Sequence, residues 1–379
     1  MGHVAAAVID VAGLDRLIGE LWARGYRVIG PVVAEDAIAL GELHGVDDLP
    51  RGCHDVQAPG SYRIERGDDP SLFAWAVGPH SVKAEVFPPH AVVWRARREE
   101  GDGTVTITEN EADDVPVAVL GARPCELAAL AVLDRVLGAA PTPDPVYRRR
   151  RDECFVVAAE CGTPSGTCFC ASMGSGPGAD DGFDLALTEL VDEGGHRFVV
   201  RVGTGRGGEV LDAVLDDIGH RDVEEADLSA RREVLEGAAA RMGRTIDTRG
   251  LPELLAGNIE HPRWDDVASR CLACGNCTLV CPTCFCSTVQ DTSDLSGTIE
   301  RTRSWSSCFD LAHSYIHGGP VRPTTRSMYR QWMTHKLSTW WDQFGTSGCV
   351  GCGRCITWCP VGIDITEEAA AIRASAGRV

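Results

Sequence analysis

The sequence predicts an α/β, or α+β, N-terminal domain with a mixed sheet over residues 1–222, followed by a helical, cysteine-rich domain over residues 223–379. Three observations carry that expectation. Strand and helix patterns alternate through the first half, strand patterns stop near residue 222, and eleven of the seventeen cysteines lie beyond residue 246.

The N-terminal run MGHVAAAVIDVAG has no cation before its apolar stretch and is interrupted by Asp10, so it reads as a first strand and not as a secretion signal. Leu14, Leu17, Ile18, Leu21 and Trp22 recur at helical spacing, Gly25 ends that helix, and YRVIGPVV reads as the next strand. HAVVWRARRE and TVTITENE read as an antiparallel pair. VPVAVLGA (115–122) is an unbroken apolar run of the kind buried on both faces of a parallel sheet. The helix RPCELAALAVLDRVLG and the strand CFVVAAEC (154–161) follow it, a strand–helix–strand unit whose crossover should be right-handed. HRFVVRVGT and GGEVLDAVLDDIG add a strand and a helix. Leu228, Leu235 and Met242 then mark a further helix, and the chain from about 246 reads as helical or irregular.

With 44% hydrophobic and 24% charged residues the chain reads as globular. Its net charge of −19, from 36 basic and 55 acidic residues, repels phosphate backbones and anionic lipid, so neither nucleic acid nor membrane is an expected partner. The basic run Arg148–Arg151 reads as a solvated loop. No apolar stretch is long enough to span a bilayer. The expectation is a cytoplasmic protein, where thiols stay reduced and seventeen of them argue for metal ligation over disulfides.

The strongest pattern lies near the C-terminus. CLACGNCTLVCP sets Cys271, Cys274, Cys277 and Cys281 in the order C-x2-C-x2-C-x3-C-P, and CVGCGRCITWCP repeats it with Cys349, Cys352, Cys355 and Cys359. Three thiolates at i, i+3 and i+6 wrap one side of a cubane, while the fourth points away toward another. The expected sets are therefore Cys271, Cys274, Cys277 and Cys359 for one 4Fe–4S cluster, and Cys349, Cys352, Cys355 and Cys281 for the other. Zinc knuckles use two paired thiols, a different pattern. This identifies the second domain as a ferredoxin-like dicluster domain.

The tetrapeptide TCFC occurs twice, at 167–170 and 283–286. If the strands 115–122 and 154–161 are parallel neighbours, Cys125 and Cys161 lie at the same C-terminal edge of the sheet, where α/β domains hold ligands. The loop GTPSGTCFCASMGSGPG then brings Cys168 and Cys170 over that edge. A third cluster on Cys125, Cys161, Cys168 and Cys170 is expected, the alternative being a set of buried thiols. Cys154 starts its strand at the other end and drops out. For the second copy two readings stand: Cys284, Cys286 and Cys308 hold a further cluster with a fourth ligand such as Asp310, His313 or Cys53, or they pack as buried thiols.

GTGRGG (203–208) matches the dinucleotide fingerprint, but Glu224 and Glu225 open a helix where that fingerprint needs a strand end, so a glycine-rich turn is expected. His313, His317 and His335, with Trp332, Trp340 and Trp341, read as packing residues. No pattern for substrate catalysis stands out.

Read together, GARPCELAAL, CGTPSGTCFCASMGSGPG, DLALTEL, CGNCTLVCPTCFCSTVQD, RTRSWSSCF, MYRQWMTHK and GCVGCGRCITWCPVGIDI resemble the 4Fe–4S dicluster beta subunit of cytoplasmic sulfhydrogenases, the bidirectional NAD(P)-linked nickel–iron hydrogenases. The resemblance runs over most of the chain. One of the subunits of anaerobic sulfite reductase is also similar, and a self-contained flavin-dependent reductase is the alternative from another class. The resemblance implies a heterotetramer. In it a flavin subunit exchanges hydride with NAD(P)H, small and large nickel–iron hydrogenase subunits handle hydrogen, and this chain transfers electrons without a catalytic site of its own. One departure is visible: Ser306 stands where the resemblance leads one to expect an acidic residue.

Overall fold

The computed structural model describes residues 5–98, 104–109, 115–139, 141–218, 221–294 and 297–375. The first four residues of the N-terminal run, Glu99 and residues 110 and 111 of the expected strand pair, and Gly219 lie outside them. Strands β1 (Ala6–Asp10), β2 (Arg27–Ala34), β3 (Ala37–Glu42), β8 (Val117–Ala122), β9 (Phe155–Ala159), β10 (Leu185–Asp192) and β11 (Gly195–Val202) form one mixed sheet in the order β1-β11-β10-β9-β8-β2-β3. The four central strands β2, β8, β9 and β10 run parallel; the flanking pairs are antiparallel. Between β3 and β8 come the hairpin β4 (Cys53–Ala58) and β5 (Ser61–Arg66), then β6 (His90–Arg98) and β7 (Val105–Glu109).

Both faces of the sheet are covered, which is why its central strands are apolar throughout. On one face Leu14, Leu17, Ile18 and Leu21 of the helix Val11–Ala23 pack with Val210, Leu211 and Val214 of the helix Gly205–Ile218 against Val28, Leu120, Val157 and Val200. On the other, Leu127, Leu130 and Leu133 of the helix Pro124–Leu133 pack with Phe87 and Tyr147 against Val119, Val156 and Ala158. A separate core around Trp264, Met328, Tyr329, Trp332 and Ile372 joins the helices Arg263–Arg270, Thr325–Thr334 and Ile365–Ser375. Among the described residues no helix is long and apolar enough to cross a membrane.

The structure departs from the sequence reading in three ways. Strands do not cease at 222: β12 (Ser287–Ser293) and β13 (Thr298–Trp305) form an antiparallel pair, and β13 continues onto β6 in a sheet ordered β12-β13-β6-β7. The alternation of Thr288, Val289, Thr292, Ile299 and Thr302 with charged residues was its signal, weakened because the pairing spans two hundred residues. The segment β10 was not expected either, since Leu, Ala and Glu favour helix locally and only its neighbours β9 and β11 impose the extended form. Finally, Arg148–Arg151 belong to the helix Pro145–Glu153, capped by Asp144, and not to a loop. Arg150 Nη1 donates to Glu85 O at 3.0 Å, and Arg151 pairs with Asp134 at 3.3 Å.

Candidate metal centre

The two C-x2-C-x2-C runs fold alike, because each needs the backbone to turn back twice within seven residues. Ala273 (φ 52°) and Gly275 (φ 76°) in the first run answer Gly351 (φ 64°) and Gly353 (φ 79°) in the second. Gly275 and Gly353 each cap a single helical turn, Asn276–Leu279 or Arg354–Thr357, that carries Cys277 or Cys355. Ala273 is an L-residue in the left-handed region, a strained position costing about 1 kcal/mol of the kind that clusters at functional sites. The turns aim amides at sulfur: Ala273 N donates to Cys271 Sγ at 3.4 Å, Gly351 N to Cys349 Sγ at 3.4 Å and Ile363 N to Cys359 Sγ at 3.3 Å.

The thiols gather in groups. Cys271, Cys274, Cys277 and Cys359 line one cleft with Phe309, Tyr329, Trp332 and Ile363; Cys355 borders the same cleft. Cys355 also lies in the fields of Cys349, Cys352 and Cys281, so a second group adjoins the first. Cys274 is exposed, whereas Cys281 and Cys352 are buried. Burial, then mutual repulsion, pushes the thiols of Cys277 and Cys355 well above the usual range; burial pushes Cys349 up to about 12 despite the Lys336 ammonium.

At the sheet, Cys125 occupies the second position of the helix that follows β8, and Cys161 stands two residues after β9. The two strands are parallel neighbours, so both thiols lie at one edge. Cys168 and Cys170 lie in the loop over that edge, and all four are buried. Cys161, Cys168 and Cys170 share one another's fields, while Cys125 neighbours Cys170 and Cys352. Burial and the nearby Cys161 push Cys168 up to about 12. Ser165 Oγ and Cys168 Sγ share a hydrogen bond at 3.1 Å, and Cys170 Sγ lies 3.9 Å from Met242 Sδ. Cys154 sits at the opposite end of β9, beside Arg206, whose Nη2 donates to Cys154 O at 2.6 Å.

This loop is stitched to the second cysteine run. Phe169 N donates to Gly351 O at 2.8 Å, Ser175 Oγ to Val350 O at 2.6 Å, and the hydroxyls of Thr167 and Thr357 meet at 2.7 Å. A Cβ on Gly353 would stand 2.6 Å from Thr167 O, and one on Gly351 2.7 Å from the Cys170 backbone. Gly353→Ala therefore forces the two loops apart in addition to straining a positive φ. The variant is expected to lose about 1–3 kcal/mol, checked by thermal unfolding of the anaerobically purified chain.

The second TCFC behaves differently. The Cys284 thiol donates to Cys281 and, with the Lys336 ammonium, pulls Cys281 well below the usual thiol range; Cys284 itself is raised. Cys286 neighbours Cys308. Cys53 is buried in the core beside Leu43 and Leu49, whereas Cys308 packs on the separate helical core. His313 lies with Asp310 and Arg322, and burial lowers its pKa. His335 bonds Gln343 at 2.9 Å and packs on Trp340, a packing role. Trp332 and Trp340 are buried and Trp341 is half-exposed.

The glycine-rich turn is closed by its own chain: a Cβ on Gly203 would meet Phe183 O at 2.2 Å and one on Gly207 would meet Asp184 O at 2.1 Å. Packing against β10 accounts for these glycines.

Sequence reasoning missed four buried cations. Arg123 donates to the carbonyls of Phe73, Trp75, Ala76, Ala159 and Glu160. Arg354 pairs with Glu126 at 2.5 Å beside Cys352 and Cys125. Lys83 and Lys336 flank Cys281. A lone basic residue has no spacing pattern, so nothing in the sequence marked them.

The donor set fits iron–sulfur clusters. Among the described residues no three histidine, cysteine or carboxylate side chains close on a single-ion position, as a zinc site requires; a cubane spreads its thiolates over four irons. Buried thiols held largely in their neutral form are a site lacking its cation, and iron would supply the countercharge.

Comparison with known proteins agrees. A profile described as a 4Fe-4S dicluster domain matches residues 270–363. Sulfhydrogenase 2 subunit beta of Pyrococcus furiosus is 35% identical over 284 residues, covering 74% of this chain and 80% of that protein. With the paired cysteine runs and the mixed sheet beneath them, this relationship makes the chain a member of the sulfhydrogenase beta-subunit family, an iron–sulfur electron-transfer subunit.

Proposed function

We propose that this chain relays single electrons between a flavin subunit that oxidises or reduces NAD(P)H and a nickel–iron hydrogenase module of small and large subunits. Cys271, Cys274, Cys277 and Cys359 would hold one 4Fe–4S cluster, and Cys349, Cys352, Cys355 and Cys281 the second. Cys125, Cys161, Cys168 and Cys170 would hold a third at the sheet edge. When bound, the clusters supply one-electron chemistry at potentials tuned by their surroundings. The chain's own residues exclude water, donate amides to sulfur and fix the order of the sites.

The observation that supports this reading is continuity. Exposed Cys274 opens a series of adjoining thiols that passes through Cys355 to Cys352, and Cys352 neighbours Cys125, Cys168 and Cys170. One end of the series meets the surface and the other reaches the α/β sheet.

The test is iron and acid-labile sulfide per chain after anaerobic purification, for the wild type and for Cys168→Ala/Cys170→Ala. The variant is expected to lose about four irons. An unchanged count near eight, about two clusters' worth, would confine the relay to the two ferredoxin-type clusters.

A further inference from the structure

The least expected residues at the centre are two buried lysines. Lys336 is 3% exposed and Lys83 2%. Lys336 Nζ donates to Cys281 Sγ, Thr283 Oγ1 and Gly348 O, each at 3.1 Å. Lys83 Nζ donates to Cys281 O at 2.8 Å and Cys284 O at 3.1 Å, and it stands 3.8 Å over the ring of Trp305. None of these partners is a carboxylate. Two ammonium groups in one buried neighbourhood repel each other and have lost their water, so an anion must offset them. A four-thiolate cubane is such an anion, a dianion when oxidised and a trianion when reduced.

The backbone is shaped for this contact. Lys336 lies in a π-helical segment, His335–Thr339, between the helices Thr325–Thr334 and Trp340–Phe344. Such insertions re-aim a side chain within an otherwise regular helix and recur at functional sites. Three acceptors then hold the ammonium against the sulfur. The thiols Cys271 and Cys277 of the first group have burial, an amide and other thiols as their principal influences, and no cation.

We propose that Lys336, backed by Lys83, is a positioning residue that sets the reduction potential of the cluster held by Cys281, Cys349, Cys352 and Cys355. The step is the arrival of one electron, with no bond made or broken. A fixed positive charge 3.1 Å from a ligand sulfur stabilises the more negative, reduced state, and low surrounding dielectric magnifies the effect. Without the ammonium that cluster becomes harder to reduce, and the first cluster is left nearly unchanged.

The inference rests on the ligand assignment above, and the experiment separates the two. Redox titration followed by electron paramagnetic resonance is compared for the wild type, Lys336→Met and Lys336→Arg, with iron and sulfide counted on each sample. In Lys336→Met the reduction equilibrium constant of one cluster is expected to fall at least tenfold, about 59 mV for a one-electron couple. Lys336→Arg, which keeps the charge, should recover most of the shift. A Lys336→Met protein with full iron and unchanged potentials overturns the proposal. If that variant loses its cluster, Lys83→Met decides. Its ammonium touches carbonyls and not sulfur, so a smaller fall of the same sign supports the proposal and unchanged potentials overturn it. Failure of the ligand assignment would show elsewhere, as full iron retention in Cys352→Ala.

Discussion

Cys281→Ala combined with Cys349→Ala is expected to lose no more iron than either change alone, about four per chain, whereas Cys281→Ala with Cys271→Ala should lose about eight. The reason is cross-ligation. Cys281 belongs to the first run in sequence, yet its sulfur lies in the fields of Cys349, Cys352 and Cys355. Cys359, from the second run, lines the cleft of Cys271, Cys274 and Cys277. If instead each run held its own cluster, the pattern would invert: the pair Cys281 and Cys271 would be non-additive and the pair Cys281 and Cys349 additive. Iron and sulfide analysis of the two double variants distinguishes these outcomes without relying on activity.

Glu160→Gln is expected to destabilise the protein by about 3–5 kcal/mol, the largest effect foreseen outside the cysteines. Glu160 is buried next to Cys161. Arg231 of the helix Glu225–Ala240 grips it with Nε at 2.7 Å and Nη2 at 2.6 Å. Arg201 Nη2 adds a bond at 2.9 Å, Thr188 Oγ1 one at 2.5 Å and Ala179 N one at 2.9 Å. Burial pushes the carboxyl's pKa up, but the Arg231 guanidinium and the other donors outweigh it and hold the value below the usual glutamate range. A depressed carboxylate contributes stability that is fully present above its unfolded value of about 4.3. That contribution is lost as pH falls through the lower folded value. Glu160→Gln should therefore lower the thermal midpoint at neutral pH and flatten its decline in acid. An unchanged acid limb would mean that the network does not contribute to stability.

Much of the metal chemistry was legible in order and spacing. Three thiols at i, i+3 and i+6 with a fourth before proline is a local pattern, and local geometry decides it: left-handed residues at 273, 275, 351 and 353 turn each loop whatever surrounds it. The central strands β8 and β9 were equally plain, since a strand buried on both faces must be apolar along its length. The parallel pairing that brings Cys125 and Cys161 to one edge follows from those strands and the helix between them.

Long-range contacts were not legible. The return of β12 and β13 to β6 is a pairing of segments about two hundred residues apart, chosen by mutual fit and not by either strand's own propensity. The strand β10 is built from helix-forming residues and is held extended by its neighbours. The buried lysines at Cys281 and the cation Arg123 are isolated letters in the sequence, and only the packed interior turns them into charges beside sulfur. Spacing along the chain thus specifies which residues ligate. The folded interior, where water is excluded and charges act at short range, decides what surrounds them and at what potential they work.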